Sequence, residues 1–63
     1  MQVSKTLTIG DEVEHHDLGL GTIKTIECYP FGGAPRRAEV RFEREWGFSD
    51  RVLDITDLRK VMQ

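Results

Sequence analysis

Apolar and polar residues alternate over short stretches of this chain, with the period of two that is typical of β-strands. Between residues 38 and 43, Ala38, Val40 and Phe42 share one face, and charged residues occupy the other. Val13 and His15 share a face in the same way near the start of the chain. These patterns predict strands whose apolar faces meet in one core.

Glycines and a broken alternation after the first strand predict a turn at residues 17–21 followed by a bend. Gly19 and Gly21 are separated by one residue, which indicates a positive φ or a close approach of the backbone to a neighbour. Ile23 and Ile26 stand three residues apart, so a β-bulge near Lys24 is needed for both to reach the core. Small barrels need such bends to close.

The second half of the chain predicts a loop, a hairpin and a closing element. Prolines and glycines exclude regular structure from residues 29–37. The elements after this loop are a hairpin turn at 45–47, a strand at 48–53, a helical turn at 54–58 and a short strand within 58–62. A helix after Thr56 is the alternative for the last segment. Four or five short strands with closely spaced turns predict an all-β domain, either a barrel or a sandwich.

Length and charge narrow the class of protein. With 63 residues, the chain makes one domain at most, which we expect to span residues 9–63 behind a polar N-terminal tail at 1–8. Nine basic and eleven acidic residues give a formal net charge of -2, which argues against a dedicated nucleic-acid-binding protein. Cys28 is the single cysteine, and no apolar leader or membrane span is present, so we expect a cytoplasmic protein.

The sequence predicts neither a catalytic nor a metal site. His15 and His16 are adjacent, so on a strand they would point to opposite faces and could not bind one zinc ion together with Cys28. We expect one packed and one exposed histidine instead. Ser4 and Ser49 lack the flanking glycines of a nucleophile elbow. We therefore expect no enzymatic activity, no metal and no cofactor.

The spacing of residues within 10–27 carries a resemblance. It reads G-D-x-V-x-H-x-x-x-G-x-G-T-I-x-x-x-E, and it is followed by V-x-F at residues 40–42 and by Leu58. This pattern resembles the Tudor-like, SH3-like barrel at the C-terminus of UvrD and PcrA helicases. More distantly, it is similar to the RNA-polymerase-interacting domain of CarD-type transcription factors. The resemblance extends over residues 10–61 and implies a small SH3-like barrel of about five strands.

The resemblance also implies a function, because those barrels dock onto the β subunit of bacterial RNA polymerase, partly through strand edges. We expect a barrel that stands alone, without the helicase motor, and segments 29–37 and 44–48 follow no pattern of those families. Contact residues are therefore not carried over. What the resemblance implies is a protein-docking module that acts in transcription or repair.

Aromatic and basic side chains supply the candidate binding residues. Tyr29, Phe31 and Trp46 lie in predicted turns, where we expect them to be exposed. Four arginines form a local cluster in the sequence, which would steer the chain towards an acidic protein surface; they are Arg36, Arg37, Arg41 and Arg44. The alternative is that they belong to a solvated strand face and loop without a binding role. Exposed aromatics beside arginines are typical of protein-interface hot spots.

Other kinds of partner remain possible on the same residues. The main alternative is a nucleic-acid-binding barrel, in which these arginines contact phosphates and the aromatics stack on bases. Two further possibilities are an aromatic cage for a methylated cation and a self-associating structural barrel. We favour a monomer that binds a protein and has no contact with a membrane.

Overall fold

A computed structural model describes residues 7–61 of the chain, and within that range five antiparallel strands form a single sheet. The strands are β1 (Glu12–His15), β2 (Gly19–Cys28), β3 (Pro35–Arg44), β4 (Gly47–Asp54) and β5 (Leu58–Lys60). A short 3₁₀ helix, Ile55–Asp57, precedes β5. The order across the sheet is β4-β3-β2-β1-β5. The predicted small all-β domain with a helical turn near its end is confirmed.

The core lies on the face of the sheet that the alternation predicts. Val13, Ala38, Val40 and Phe42 are all buried there, and His15 is buried on the same side. Leu7 joins this core, although it falls within the segment predicted as a polar tail. Residues 1–6 of that segment lie outside the described residues. The alternation therefore assigns the inward faces of β1 and β3 correctly.

The predicted bend in β2 is present and has the predicted cause. The register with β3 shifts between Ile23 and Thr25, which marks a bulge in an otherwise antiparallel pair. The shift lets Ile23 enter the core, while Ile26 packs against the edge of the core, half-buried. The break in alternation is thus a correct signal of the bend.

The sequence indicates a positive φ or a close approach of the backbone at Gly19 and Gly21. The first explanation applies to Gly19 and the second to Gly21. Gly19 has a φ of 86°, a conformation that L side chains rarely adopt. Gly21 is buried, and a Cβ built on it would lie 2.6 Å from Cγ1 of Val40 and 2.8 Å from the Phe42 ring. Both glycines belong to β2, so the prediction that the turn extends to Gly21 is wrong.

Two further expectations about the second half need correction. β3 begins at Pro35, so the predicted loop 29–37 is three residues too long. A proline can open a strand because its missing N–H is not needed there. The alternative of a helix after Thr56 is also wrong, since Leu58–Lys60 pairs antiparallel with β1.

The hairpin between β3 and β4 is tight, and β4 lies at one edge of the sheet. Arg44 pairs with Gly47, so Glu45 and Trp46 form a two-residue connection. Within residues 7–61, the recorded pairings place β4 and β5 at the two ends of the strand order. Closure of the sheet into a barrel stays a prediction.

Candidate binding surface

The seven predicted binding residues do not come together in one place. Tyr29 and Phe31 lie in the loop that precedes β3, whereas Trp46 lies in the turn after it. β3 has ten residues, and at about 3.3 Å per residue its ends are roughly 30 Å apart. The structure thus separates the aromatic residues into two groups at opposite ends of one strand.

The four arginines do not share one face of β3. Arg37 and Arg41 have the parity of the outer face of β3, which is the face opposite the core, whereas Arg36 and Arg44 have the parity of the core face. The four guanidinium groups are thus distributed along the whole strand and over both of its sides. The four arginines therefore do not all face one side of the sheet, and their part in binding stays a prediction.

On the outer face, Arg37 and Arg41 contact carboxylates of neighbouring strands. Arg41 donates from Nε and Nη2 to the two carboxylate oxygens of Asp50, at 2.8 and 3.1 Å. This hydrogen bonding lowers the pKa of Asp50 and raises the pKa of Arg41, so both groups stay charged at neutral pH. Arg37 Nε lies 3.2 Å from Oε1 of Glu27, an ion pair by distance that does not meet hydrogen-bonding geometry.

The other two arginines contact the aromatic and main-chain groups beside them. Arg44 donates to the carbonyl oxygen of Leu18 at 3.1 Å, and its guanidinium lies 5.4 Å from the centre of the Phe42 ring. Arg36 lies 5.6 Å from the centre of the Tyr29 ring. Arg44 therefore closes the end of the core, and Arg36 belongs with the aromatic group of the 29–34 loop.

Exposed apolar side chains gather at the end of the sheet that carries the hairpin. Trp46 is 75% exposed, Phe48 57% and Leu20 55%. Leu20 and Phe48 line an open cleft of about 720 Å³ across the outer face, together with charged side chains that include Lys24, Arg41 and Glu43. Trp46 lies in the turn at the same end of the sheet, outside the residues that line this cleft. We name Leu20, Trp46 and Phe48 together the hairpin-end surface.

Leu20 and Phe48 are absent from the predicted binding residues. The sequence pattern assigns Leu20 to a turn, but it belongs to β2 and shares its parity with Thr22, whose cross-strand partner is Arg41. The alternation of Gly19, Leu20 and Gly21 is the available signal, because two glycines on the core side leave Leu20 on the outer side. Phe48 follows in the same way from the parity of β4.

The two histidines lie closer together than a continuous strand would allow. β1 ends at His15 and the chain turns at His16, so the two rings stack with their centres 4.5 Å apart. The premise that they point to opposite faces is wrong. The prediction of one buried and one exposed histidine is confirmed.

His15 stabilises the turn that follows it, and the two histidines do not form a complete set of metal ligands. Ligand atoms of His15, His16 and Asp17 lie within 4.8 Å of one another. However, Nδ1 of His15 accepts hydrogen bonds from the backbone N–H groups of Asp17 and Leu18, at 3.1 and 3.3 Å. An imidazole with an accepting Nδ1 carries its proton on Nε2 when neutral, so it has no lone pair left for a metal.

Replacing His15 by leucine should lower the free energy of unfolding by about 1–3 kcal/mol, because two backbone donors of the turn lose their acceptor. His16→Leu is the matched control, since His16 carries the same ring at the adjacent position but is largely exposed; its effect should stay within about 0.5 kcal/mol. Denaturant unfolding measures both variants. Equal losses for the two would show that the turn does not depend on His15 Nδ1.

Comparisons with protein-family models, with curated proteins and with solved structures find no match to this chain. The part of the chain from residue 7 to residue 61 contains no helix long and apolar enough to cross a membrane. Evidence on function therefore comes from the geometry of the hairpin-end surface and of the neighbouring strand edge.

Proposed function

We propose that this chain is a non-catalytic module that docks onto a protein partner through the hairpin-end surface and the adjacent edge of β4. The observation that carries this proposal is the position of Trp46 and Phe48. Both large aromatic side chains are exposed. Phe48 belongs to β4 and Trp46 lies in the turn before it, and the described residues pair β4 on one side only.

The edge of β4 supplies the main-chain part of the contact. β4 runs over eight residues and pairs with β3 along its whole length. At an unpaired edge, N–H and C=O groups are available to an extended segment of another protein, which adds one more strand to the sheet. Main-chain hydrogen bonds of this kind give affinity with little demand on the sequence of the partner.

The hairpin-end surface supplies the apolar part. Tryptophan and large aromatic side chains are enriched among residues that dominate binding energy. Trp46 projects from the two-residue turn, and Phe48 begins the outer face of β4 two residues later. Arg41 lies with its guanidinium 5.1 Å from the centre of the Phe48 ring, which gives the apolar centre a charged rim.

The ion pairs on β3 support a protein as partner in preference to a nucleic acid. Phosphate binding depends on several cationic groups that face one backbone and release counterions. Arg41 already makes two hydrogen bonds to Asp50, and Arg37 pairs with Glu27. The loop with Tyr29, Phe31 and Arg36 lies at the far end of β3, where it is a second, separate surface.

The specific partner that we favour is bacterial RNA polymerase or a complex of transcription or repair. This choice comes from the resemblance carried by residues 10–27. Such a partner would place the chain in the cytoplasm, where it would bind as a monomer. The contact residues come from the geometry of β4 and its hairpin.

Capture from a bacterial lysate tests the class of partner. The immobilised chain is incubated with nuclease-treated lysate at low and moderate salt, beside Trp46→Ala and Phe31→Ala. Phe31→Ala is the matched control, because Phe31 is also an exposed aromatic but lies at the opposite end of β3. We expect polymerase subunits with the wild type and with Phe31→Ala, and a loss of about 30-fold in affinity with Trp46→Ala.

Two outcomes would contradict the proposal. Equal capture by Trp46→Ala and wild type would remove the hairpin-end surface from the contact. Recovery of nucleic acid alone, lost steeply as salt rises, would instead support the alternative of a nucleic-acid-binding barrel.

A further inference from the structure

We infer that the edge of β4 that residues 7–61 leave unpaired, which we call its free edge, also pairs with β4 of a second copy of this chain, antiparallel and centred on Asp50. This inference goes beyond the proposed function and does not depend on it, since purified chain alone would show the pairing. Three features of β4 support this inference. They are the direction of its main-chain N–H and C=O groups, the order of its outer-face side chains, and the ion pair that its Asp50 makes with Arg41.

The register of the hairpin determines which main-chain groups point outward. A two-residue connection closes on a hydrogen-bonded pair, which is Arg44 with Gly47. Hydrogen-bonded and non-hydrogen-bonded pairs alternate along an antiparallel ladder. Phe48, Asp50 and Val52 therefore sit at non-hydrogen-bonded positions opposite β3, and their N–H and C=O groups point towards the free edge.

The side chains of these three residues are complementary to themselves about a two-fold axis at Asp50. In that register, Phe48 of one copy lies opposite Val52 of the second copy, and the reverse pair forms on the other side of the axis. Phe48 and Val52 are on the outer face, 57% and 61% exposed. An aromatic side chain opposite a β-branched one is a favourable cross-strand pair.

The same axis brings two Asp50 side chains together, and Arg41 offsets their charge. Two carboxylates directly opposite each other would repel. Each Asp50 is already held by two hydrogen bonds from its own Arg41, so two ion pairs meet at the axis. Arg51 does not face a like charge across the axis, because in this register it lies opposite the neutral Ser49 of the second copy.

An interface of one short strand pair is small, and its size sets the expected strength. Stable dimers usually bury about 1,200–2,000 Å² in total, which a few residues of a single edge cannot supply. The pairing is therefore weak and reversible, with monomers dominating in dilute solution. The pairing occupies the edge of β4 that we propose for docking. At a high concentration of the chain, this edge would therefore be less available to a partner.

Sedimentation equilibrium of the purified chain, from low micromolar to millimolar concentration, tests the inference. The average mass of the wild type should rise towards that of a dimer, whereas Val52→Lys should stay monomeric throughout. Ile9→Lys is the matched control, because Ile9 is an equally exposed aliphatic residue outside β4; it should associate like the wild type. A wild type that stays monomeric, or equal association of Val52→Lys, would overturn the inference.

A pair of charge variants tests the register itself. Arg41→Gln leaves two unpaired carboxylates at the axis and should weaken association at least several-fold. The double variant Arg41→Gln/Asp50→Asn removes both charges and should restore it. Failure of the double variant to recover association, with circular dichroism showing a folded chain, would contradict the Asp50-centred register. Because this readout needs no partner, it stands or fails separately from polymerase capture.

Discussion

Phe42→Ala should unfold this domain or bring it to the edge of unfolding. Phe42 is fully buried in the core of the sheet, and removing a buried phenylalanine costs about 3–5 kcal/mol. A chain of 63 residues has a total stability of roughly 3–9 kcal/mol, at 0.05–0.15 kcal/mol per residue. The loss is thus comparable with the whole stability of the domain.

Phe48→Ala is the matched control for this prediction. Phe48 is the same residue type on the neighbouring strand, but it points to the outer face and is exposed. Its replacement should change the free energy of unfolding by at most about 1 kcal/mol. Urea unfolding followed by circular dichroism measures both variants. Similar losses for Phe42→Ala and Phe48→Ala would show that the two faces of the sheet are assigned wrongly.

Gly21→Ala should destabilise the domain by about 1–3 kcal/mol, the usual effect of overpacking a core. The added Cβ would lie 2.6 Å from Cγ1 of Val40 and 2.8 Å from the ring of Phe42. Both of those side chains are fully buried, so neither can move away without displacing other core residues. Even one methyl group is therefore too large for this position.

Gly32→Ala separates this steric effect from the general effect of replacing a glycine. Gly32 has no atom within 4 Å of an added Cβ and no positive φ, so the substitution should be neutral or stabilise by up to about 1 kcal/mol. Thermal and urea unfolding of the two variants give the comparison. Equal destabilisation of both would contradict the close approach of β2 to β3 at Gly21.

The two faces of the strands could be predicted from the sequence, because a buried face appears there as apolar residues that alternate with polar ones. Ala38, Val40 and Phe42 alternate with charged residues, and a period of two has one physical interpretation when one face is buried. The bend near Ile23 could also be predicted from the sequence, since two core aliphatic residues three positions apart require an extra residue between them.

The first and last residues of the strands were harder to predict. At these positions the local preference of a residue disagrees with its pairing to another strand. Pro35 disfavours a strand by its chemistry, yet it occupies the first position, where no N–H is required. Leu58–Lys60 suits a helix locally, and its pairing with β1 decides the outcome. Strand pairings such as this one join residues more than forty positions apart in the sequence. A local sequence pattern therefore does not predict them.

The candidate surface was predictable only in part. The distribution of the arginines over both faces of β3 follows from parity and strand length alone, so it could have been predicted from the sequence. The stacking of His15 on His16 could not have been predicted, since it depends on β1 ending at His15. The glycines on either side of Leu20 are a sequence signal for its outward position, but they indicate this only if β2 begins at Gly19.

Docking of the hairpin-end surface onto a protein can be tested without a lysate, by direct binding to purified bacterial RNA polymerase. Labelled chain is titrated with nucleic-acid-free polymerase at two salt concentrations, beside Trp46→Ala and Phe31→Ala. We expect saturable binding that depends mildly on salt, is retained by Phe31→Ala and falls about 30-fold or more with Trp46→Ala. Absence of saturable binding would contradict polymerase as the partner, and equal affinity of Trp46→Ala and wild type would contradict the surface.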